Sequence, residues 1–346
     1  MAELGSILVA NAGSTSLKLS VVDADENAQT VASLEEAPGD VVAVAHRVVH
    51  GGERFLEPIL IDDAVEGDLA QLRELAPLHN GPALEAIERA RRALPRLPQA
   101  AVFDTAFHAT IPEWARTYAL PARLRVSGIR RYGFHGLSVA WASERVPVER
   151  LIVCHLGGGC SVTAVARGRS IDTTMGFTPL EGVPMATRSG SIDPGALLHL
   201  LRSGAESVDS LDHVLEQESG LLGLSGISGG VEELERSSDP RARLALEVYC
   251  YRVASAVAAM AVALDGLDAL VFTAGVGENS AGVRQAVGDL LGFLGVAIDR
   301  ERNHTAEPDV EIGRDSNPVR VVVLRAREDV VAARAVRGLL GAIAIA

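Results

Sequence analysis

Residues 7–22, ILVANAGSTSLKLSVV, open on a buried-strand run, pass through a glycine and serine turn, and resume strand-forming chemistry. The pattern predicts two strands around a tight hairpin. Residues 151–165, LIVCHLGGGCSVTAV, repeat the design 144 positions later without a gap. Ile7, Leu8, Val9, Asn11, Gly13 and Ser14 fall opposite Leu151, Ile152, Val153, His155, Gly157 and Gly158. An offset this long is no solenoid period, so the repeat points to two domains of similar topology, each opening on a strand, a glycine turn and a strand. A third strand-and-glycine element, ALVFTAGVGEN at 269–279, leads into a helical pattern over 280–291.

Around these elements helices are expected at 67–76, 83–94, 137–145, 209–216, 240–264 and 328–340, and strands at 44–49, 100–103 and 319–324. Asn80 ahead of Pro82, and Asp239 ahead of Pro240, fit helix starts. Strands alternating with helices give an α/β architecture. The linker is expected near 146–149, which divides the chain into 1–147 with 331–346 and 148–330.

The 346 residues exceed what one core usually spans, in keeping with two domains. Lys and Arg number 32 against 45 for Asp and Glu, a formal charge of -13, which argues against nucleic acid as a general partner. Any anion site must be built locally from a few cations and backbone amides. Cys154, Cys160 and Cys250 match no zinc or redox spacing and read as buried, reduced thiols of a cytoplasmic protein. The N-terminus lacks a basic region and a cleavage site, so no export signal is expected. The apolar stretch 253–264 is shorter than the roughly 20 residues of a membrane span, so it reads as a core helix and no membrane partner is expected.

Two glycine hairpins facing each other across a cleft would offer backbone N–H groups and hydroxyls to the phosphates of a nucleotide. Asn11, Ser14 and Ser16 can donate to phosphate oxygens and Lys18 adds a charge, while Gly157, Gly158 and Gly159 allow close approach of the backbone. A single Gly/Ser hairpin is commonly only a turn. The second copy and the GVGEN element favour the nucleotide reading. No GxxxxGK[ST] run occurs, which excludes a P-loop, and GVGEN lacks the spacing of a dinucleotide fingerprint. Polar residues gather where strands end: His46, Arg47 and His50, then His79 and Asn80, Asp104 with His108, His135, and Arg188. Strand ends and glycine loops are where α/β enzymes carry their chemistry. Each histidine taken singly is as well explained by a structural role.

The segments NAGSTSLK (11–18), HRVVHGGERF (46–55), APLHN (76–80), VFDTAFH (102–108), YGFHG (132–136), CHLGGG (154–159), GFTPLEG (176–182) with TRSGSIDPG (187–195), and FTAGVGEN (272–279) resemble the acetate kinase family, in order and over nearly the whole chain. The resemblance implies two ribonuclease-H-like domains, the duplicated fold of actin, heat-shock chaperones and sugar kinases, flanking a nucleotide cleft. It further implies an ATP- and Mg2+-dependent phosphotransferase that makes acetyl phosphate from acetate, usually as a homodimer. By that resemblance Asn11, Ser14, Ser16 and Lys18 match a first phosphate loop, His155, Leu156, Gly157, Gly158 and Gly159 a second, and Gly275, Val276, Gly277, Glu278 and Asn279 an adenosine motif. Arg47 and Arg188 match the arginines that hold carboxylate and phosphoryl group, His135 a histidine that supports the phosphoryl group, and His79 one near the substrate. Asn11, Asp104 and Glu328 match the metal site, and Val49, Leu78, Phe134 and Pro179 the acyl pocket.

That chemistry needs such a set. Transfer of a γ-phosphoryl to a carboxylate brings anions together, so positioned arginines, histidine donors and a divalent cation dominate. The carboxylate, with a pKa near 4, is ionised at neutral pH and needs no general base. A β-branched Val49 favours acetate, with propionate as a secondary substrate. Two departures stand out. Gly158 occupies the position of an asparagine in the family's HLGNG loop, and Ala326-Arg327-Glu328 replaces Thr-Asn-Glu. They keep open the same acyl kinase with pyrophosphate or another donor, and a nucleotide-binding protein that transfers nothing. The chain is also shorter than typical members between the first hairpin and His46, so a trimmed surface lobe is expected.

Overall fold

The computed structural model describes residues 5–12, 17–72 and 77–345, the side chains of 77–79 and 344–345 excepted. The chain forms two compact units: Met1–Ala109 with Phe134–Trp141 and Arg327–Ala346, and Thr110–Gly133 with Ala142–Ala326.

In the first unit β1 (Ser6–Ala12), β2 (Leu17–Val22), β3 (Ala28–Val31), β4 (Val41–Val48), β5 (Ile59–Leu60) and β6 (Gln99–Phe103) make one sheet in the order β3-β2-β1-β4-β6-β5. β1 runs antiparallel to β2 and parallel to β4, β4 is parallel to β6, and the outer strands β3 and β5 are antiparallel to their neighbours. β1 and β6 are almost wholly buried on both faces, which explains their unbroken apolar runs.

The second unit repeats this plan. β7 (Arg150–Leu156), β8 (Cys160–Ala166), β9 (Arg169–Thr173), β10 (Ala269–Thr273), β11 (Val310–Glu311) and β12 (Arg320–Val323) order as β9-β8-β7-β10-β12-β11, with the same parallel and antiparallel pairings. The short edge strand precedes its neighbour in the chain both times. The duplicated α/β fold expected from the two hairpins is therefore present, strand for strand. Of the first hairpin the strands pair out to Ala12 and Leu17, and its turn at 13–16 lies outside the described residues.

Helices cover the sheets, and several differ from their predicted limits. The expected helix 67–76 starts earlier, as Asp63–Gln71, because the Asp62 side chain caps the Val65 N–H at 2.8 Å. The next helix, Pro77–Ala93, begins upstream of the start expected between Asn80 and Pro82 and contains Pro82. Asn80 is no cap. It is buried and ties the His50 backbone at 3.1 Å in both directions and the Leu72 carbonyl at 3.2 Å. These ties hold the turn, and Pro82 gives up only one backbone hydrogen bond. The pattern at 209–216 resolves into the helix Val208–His213 followed by one π-type turn, Val214–Glu218.

The helix Pro240–Leu264 follows its predicted limits, with Asp239 capping Arg241 N–H at 2.8 Å and Pro240 in the first turn. It is long and apolar enough to span a bilayer by composition, but it packs on β7, β8 and β9 through buried residues such as Tyr249, Val253, Val257 and Met260. It is a core helix. The last helix, Glu328–Ile345, packs on β1, β2, β4 and β6 and so completes the first unit from the far end of the chain. All three cysteines are free and buried.

Candidate functional site

β1 and β4 lie side by side in parallel with Asn11 opposite Arg47, and Asp104 follows directly on the C-terminal end of β6. This register gathers the polar residues of the first unit at the carboxyl ends of its central strands. Arg47 grips Asp104 with two parallel bonds, Nε to Oδ1 at 2.9 Å and Nη2 to Oδ2 at 2.5 Å. Its Nη1 donates to Asn11 Oδ1 at 3.0 Å and lies 3.6 Å from Glu328 Oε2, while Asn11 Nδ2 donates to that same Glu328 oxygen at 3.3 Å. Four residues separated by up to 317 positions thus form one network. Burial works against the Arg47 charge, but Asp104 and Glu328 outweigh it and hold the guanidinium firmly protonated.

Two carboxylates and an amide oxygen face a single guanidinium here, which leaves one negative charge in excess. The Glu328 carboxyl accordingly sits above its ordinary pKa, raised by burial and by Asp104, with Arg47 opposing. Oxygen donors in a cluster with negative charge in excess suit a hard divalent cation. No cluster of three or more His, Cys, Asp and Glu able to hold a metal occurs among the described residues. A divalent cation held through one or two carboxylates and completed by phosphates and water fits this set, and no dedicated protein cage occurs among the described residues. Arg327, the unexpected cation beside Glu328, turns elsewhere. It donates to the Glu26 carbonyl at 3.0 Å and lies over the Trp141 ring at 5.9 Å.

His135 is held at φ +59, a conformation that costs a non-glycine residue energy and that clusters at functional sites. The next residue explains the placement. Gly136 N–H bonds the Asp104 carbonyl at 3.1 Å, and a Cβ on Gly136 would come within 2.0 Å of that oxygen. Only glycine lets the His135 turn seat against Asp104. Val49 and Phe134 of the expected acyl wall are buried in this unit, and the Phe134 ring meets His50 edge-on at 5.4 Å. Leu78 and His79 lie on the helix Pro77–Ala93, with side chains outside the described set; Ser14 and Ser16 are outside it altogether. Lys18 is exposed on β2.

The other histidines of the strand-end cluster are structural. His46 points to the opposite face of β4 from Arg47 and pairs with Gln99 at 2.7 Å. His50 Nδ1 accepts from Gly52 N–H at 2.9 Å, and His108 Nε2 meets the Phe134 carbonyl at 2.9 Å. Burial lowers both His46 and His108 to about 4, so each is neutral.

In the second unit, β7 ends at His155 and Leu156, both buried, and β8 begins at Cys160. Between them Gly157 N–H bonds the Gly159 carbonyl at 3.0 Å and Ala186 N–H bonds the Gly158 carbonyl at 3.2 Å. Beneath the turn, Cys160 Sγ lies 3.3 Å from both the Gly157 carbonyl and the Tyr249 hydroxyl. A Cβ on Gly158 would meet nothing within 4 Å. The turn therefore borders open space into which phosphates could reach. His155, opposite Asn11 in the repeat, pairs with Thr273 where Asn11 pairs with Arg47, so the charged cluster has no counterpart at this position of the second sheet.

GVGEN lies in a short helix, Ala274–Asn279, which Ala274 enters at φ +65. Glu278 accepts from Ala326 N–H at 2.9 Å and Asn279 Nδ2 donates to Gly275 O at 2.7 Å. The wholly buried Arg284 bonds the Gly277 and Glu278 carbonyls at 3.0 and 2.7 Å, fixing the C-terminal end of this helix. Pro179 and Arg188 belong to this unit too, with Arg188 Nη1 3.4 Å from the Pro179 carbonyl. Sequence reasoning missed Glu216, whose carboxylate pairs with Arg188 Nε at 2.9 Å. Nothing in its local sequence marks it; the contact depends on a turn closing over a distant loop.

The sequence model of the acetokinase family matches residues 32–334. The acetate kinase of Gloeobacter violaceus is 49% identical over 86% of this chain and 76% of its own length. That of Nostoc punctiforme is 48% identical over 84% and 74%. Among solved structures, a propionate kinase from Francisella tularensis superposes with a TM-score of 0.89 at 34% identity, covering 96% of this chain and 98% of that one. An acetate kinase from Porphyromonas gingivalis gives a TM-score of 0.85 at 31% identity, covering 97% and 100%. The chain belongs to the acetokinase family.

Proposed function

We propose that this protein is an acetate kinase that moves the γ-phosphoryl group of ATP reversibly to acetate, giving acetyl phosphate and ADP. The observation that carries the reading is the Asn11–Arg47–Asp104–Glu328 network, an oxygen cluster with negative charge in excess around an arginine locked by a bidentate carboxylate. A carboxylate oxygen of acetate attacks the γ-phosphorus in line, the new O–P bond forms as the β–γ bridging bond breaks, and the electron pair leaves on ADP. Acetate is already anionic, so no residue is assigned to take a proton.

Arg47 and Arg188 hold the carboxylate and the phosphoryl group in flight, with His135 donating to the latter. The loop carrying Ser14, Ser16 and Lys18 and the turn His155 to Gly159 take the nucleotide phosphates, and the helix Ala274–Asn279 the adenosine. Asn11, Asp104 and Glu328 hold Mg2+, which supplies charge neutralisation on the phosphate oxygens. Val49, Leu78, Phe134 and Pro179 size the acyl pocket for acetate, with propionate poorer by the worth of one methylene, about 1–3 kcal/mol. The protein works in the cytoplasm as a homodimer.

With Arg327 committed to Glu26 and Trp141, Gly158 alone remains as a reason to consider another donor. The test is a hydroxamate assay on purified protein with acetate, Mg2+ and either ATP or pyrophosphate. Acyl phosphate with ATP is the expected result. Product with pyrophosphate only, or nucleotide binding without product, overturns it.

A further inference from the structure

Arg188 sits in a segment that is itself neither helix nor strand, yet a reaction arginine must be held to a fraction of an ångström. The segment is held by the π-type turn Val214–Glu218 and the residues after it. Ser189 N–H bonds the Leu215 carbonyl at 3.0 Å, Thr187 Oγ1 donates to the Glu216 carbonyl at 2.8 Å, and Ser219 N–H bonds the Thr187 carbonyl at 2.9 Å. Leu221 and Leu222 N–H groups then bond the Met185 and Ala186 carbonyls at 2.9 and 3.0 Å. At the start of the helix Gly220–Ser225, Gly220 adopts φ +60, and a Cβ there would lie 2.2 Å from the Met185 carbonyl and 2.7 Å from that of Arg188.

Out of this framework the Glu216 carboxylate reaches Arg188 Nε at 2.9 Å, with side-chain exposures of 15% for the arginine and 11% for the glutamate. A carboxylate oxygen 2.9 Å from Nε, an ion pair that is not aligned with the N–H, restrains the guanidinium at its Nε end, opposite the Nη edge suited to phosphate or carboxylate oxygens. A buried ion pair contributes little net stability against apolar packing, but removing one partner strands the other charge, so thermal midpoints accompany the kinetics below. Single π-type turns recur at functional sites, and here the turn carries Glu216 beside Arg188.

We propose that Glu216 is a positioning residue for Arg188, holding the guanidinium in the plane it needs at the transferring phosphoryl group. This rests on the assignment of Arg188 to the reaction. The experiment measures kcat, KM for ATP and acetate, and thermal midpoint for Glu216→Ala, Glu216→Gln, Arg188→Ala and the double variant E216A/R188A. Glu216→Ala should lower kcat by about 10²-fold, the cost of a misplaced catalytic group, with KM for ATP changed by less than about threefold. Glu216→Gln, which keeps an oxygen near Nε at nearly the same volume, should recover at least tenfold of that loss, within about tenfold of the parent. In the Arg188→Ala background, removing Glu216 should cost nothing further, because its effect passes through the missing arginine.

Equal losses in both backgrounds overturn the proposal and leave Glu216 a structural residue. So does a normal kcat in Glu216→Ala when Arg188→Ala is inactive. A normal kcat in Arg188→Ala overturns instead the assignment of Arg188 on which the proposal rests. Should Glu216→Ala not fold, the kcat of Glu216→Gln decides: a loss beyond tenfold at an unchanged thermal midpoint counts against simple orientation through an oxygen.

Discussion

Arg47 is the residue on which the first unit's polar network turns, because it joins the Asp104 and Glu328 carboxylates to Asn11. Lysine keeps the charge but loses the planar fork that takes both Asp104 oxygens. Arg47→Lys should therefore lower kcat by on the order of 10²-fold or more in the hydroxamate assay, at a thermal midpoint near that of the parent. A variant with full activity would remove Arg47 from the reaction. Gly158 gives a test of opposite sign. Its backbone is ordinary and a Cβ has open space, so Gly158→Asn should be accepted without loss of stability and should raise ATP-dependent turnover by adding a donor to the loop. An unchanged or lower rate would mean that the loop has settled around glycine. Arg47, Asp104 and Asn11 were legible in sequence because each stands at a strand end in a recognisable motif. Glu216 and the direction taken by Arg327 were not, since each is decided by partners far away in the chain.

At the scale of elements, the repeated strand, glycine turn and strand unit was readable because residues buried on both faces write unbroken apolar runs. Helix limits were less so. Propensity and proline placement argue for a start near Pro82, but Asn80 spends its side chain on His50 and Leu72, and those tertiary bonds draw the helix back to Pro77. The helix Gly136–Arg145 offers a direct test of how elements meet. Its first residue touches the Asp104 backbone so closely that Gly136→Ala must push the two apart. The change should cost about 1–3 kcal/mol of stability, the range for overpacking, and should depress turnover by moving His135 and Asp104 together. A urea titration alongside the kinetic assay reads both effects. Unaltered values in both would show that the turn yields without consequence.

For the molecule as a whole, acid should be a weak point before its carboxylates titrate. His46 and His108 are buried at a pKa of about 4, against about 6.5 in an unfolded chain, chiefly through burial. The unfolded state thus binds these protons first. The stability tied to each neutral ring is complete above about pH 6.5 and declines as the pH falls towards 4, by about 3 kcal/mol per histidine. Urea midpoints should fall between pH 6.5 and 5, where carboxylates are still largely ionised; a flat profile there would contradict the buried neutral assignment. The order of synthesis also follows from the chain path. The first sheet is made early, but its covering helix and Glu328 come only after the whole of the second unit in chain order. Domains usually fold as they emerge, the N-terminal one first. Here the first unit must wait with β1, β2, β4 and β6 without the helix Glu328–Ile345, so a polypeptide cut before Glu328 lacks both that packing and the Glu328 carboxylate beside Asn11 and Arg47. Such a truncated product should be inactive in the hydroxamate assay and should expose apolar sheet, so the competence of the first unit waits on a segment made after the second.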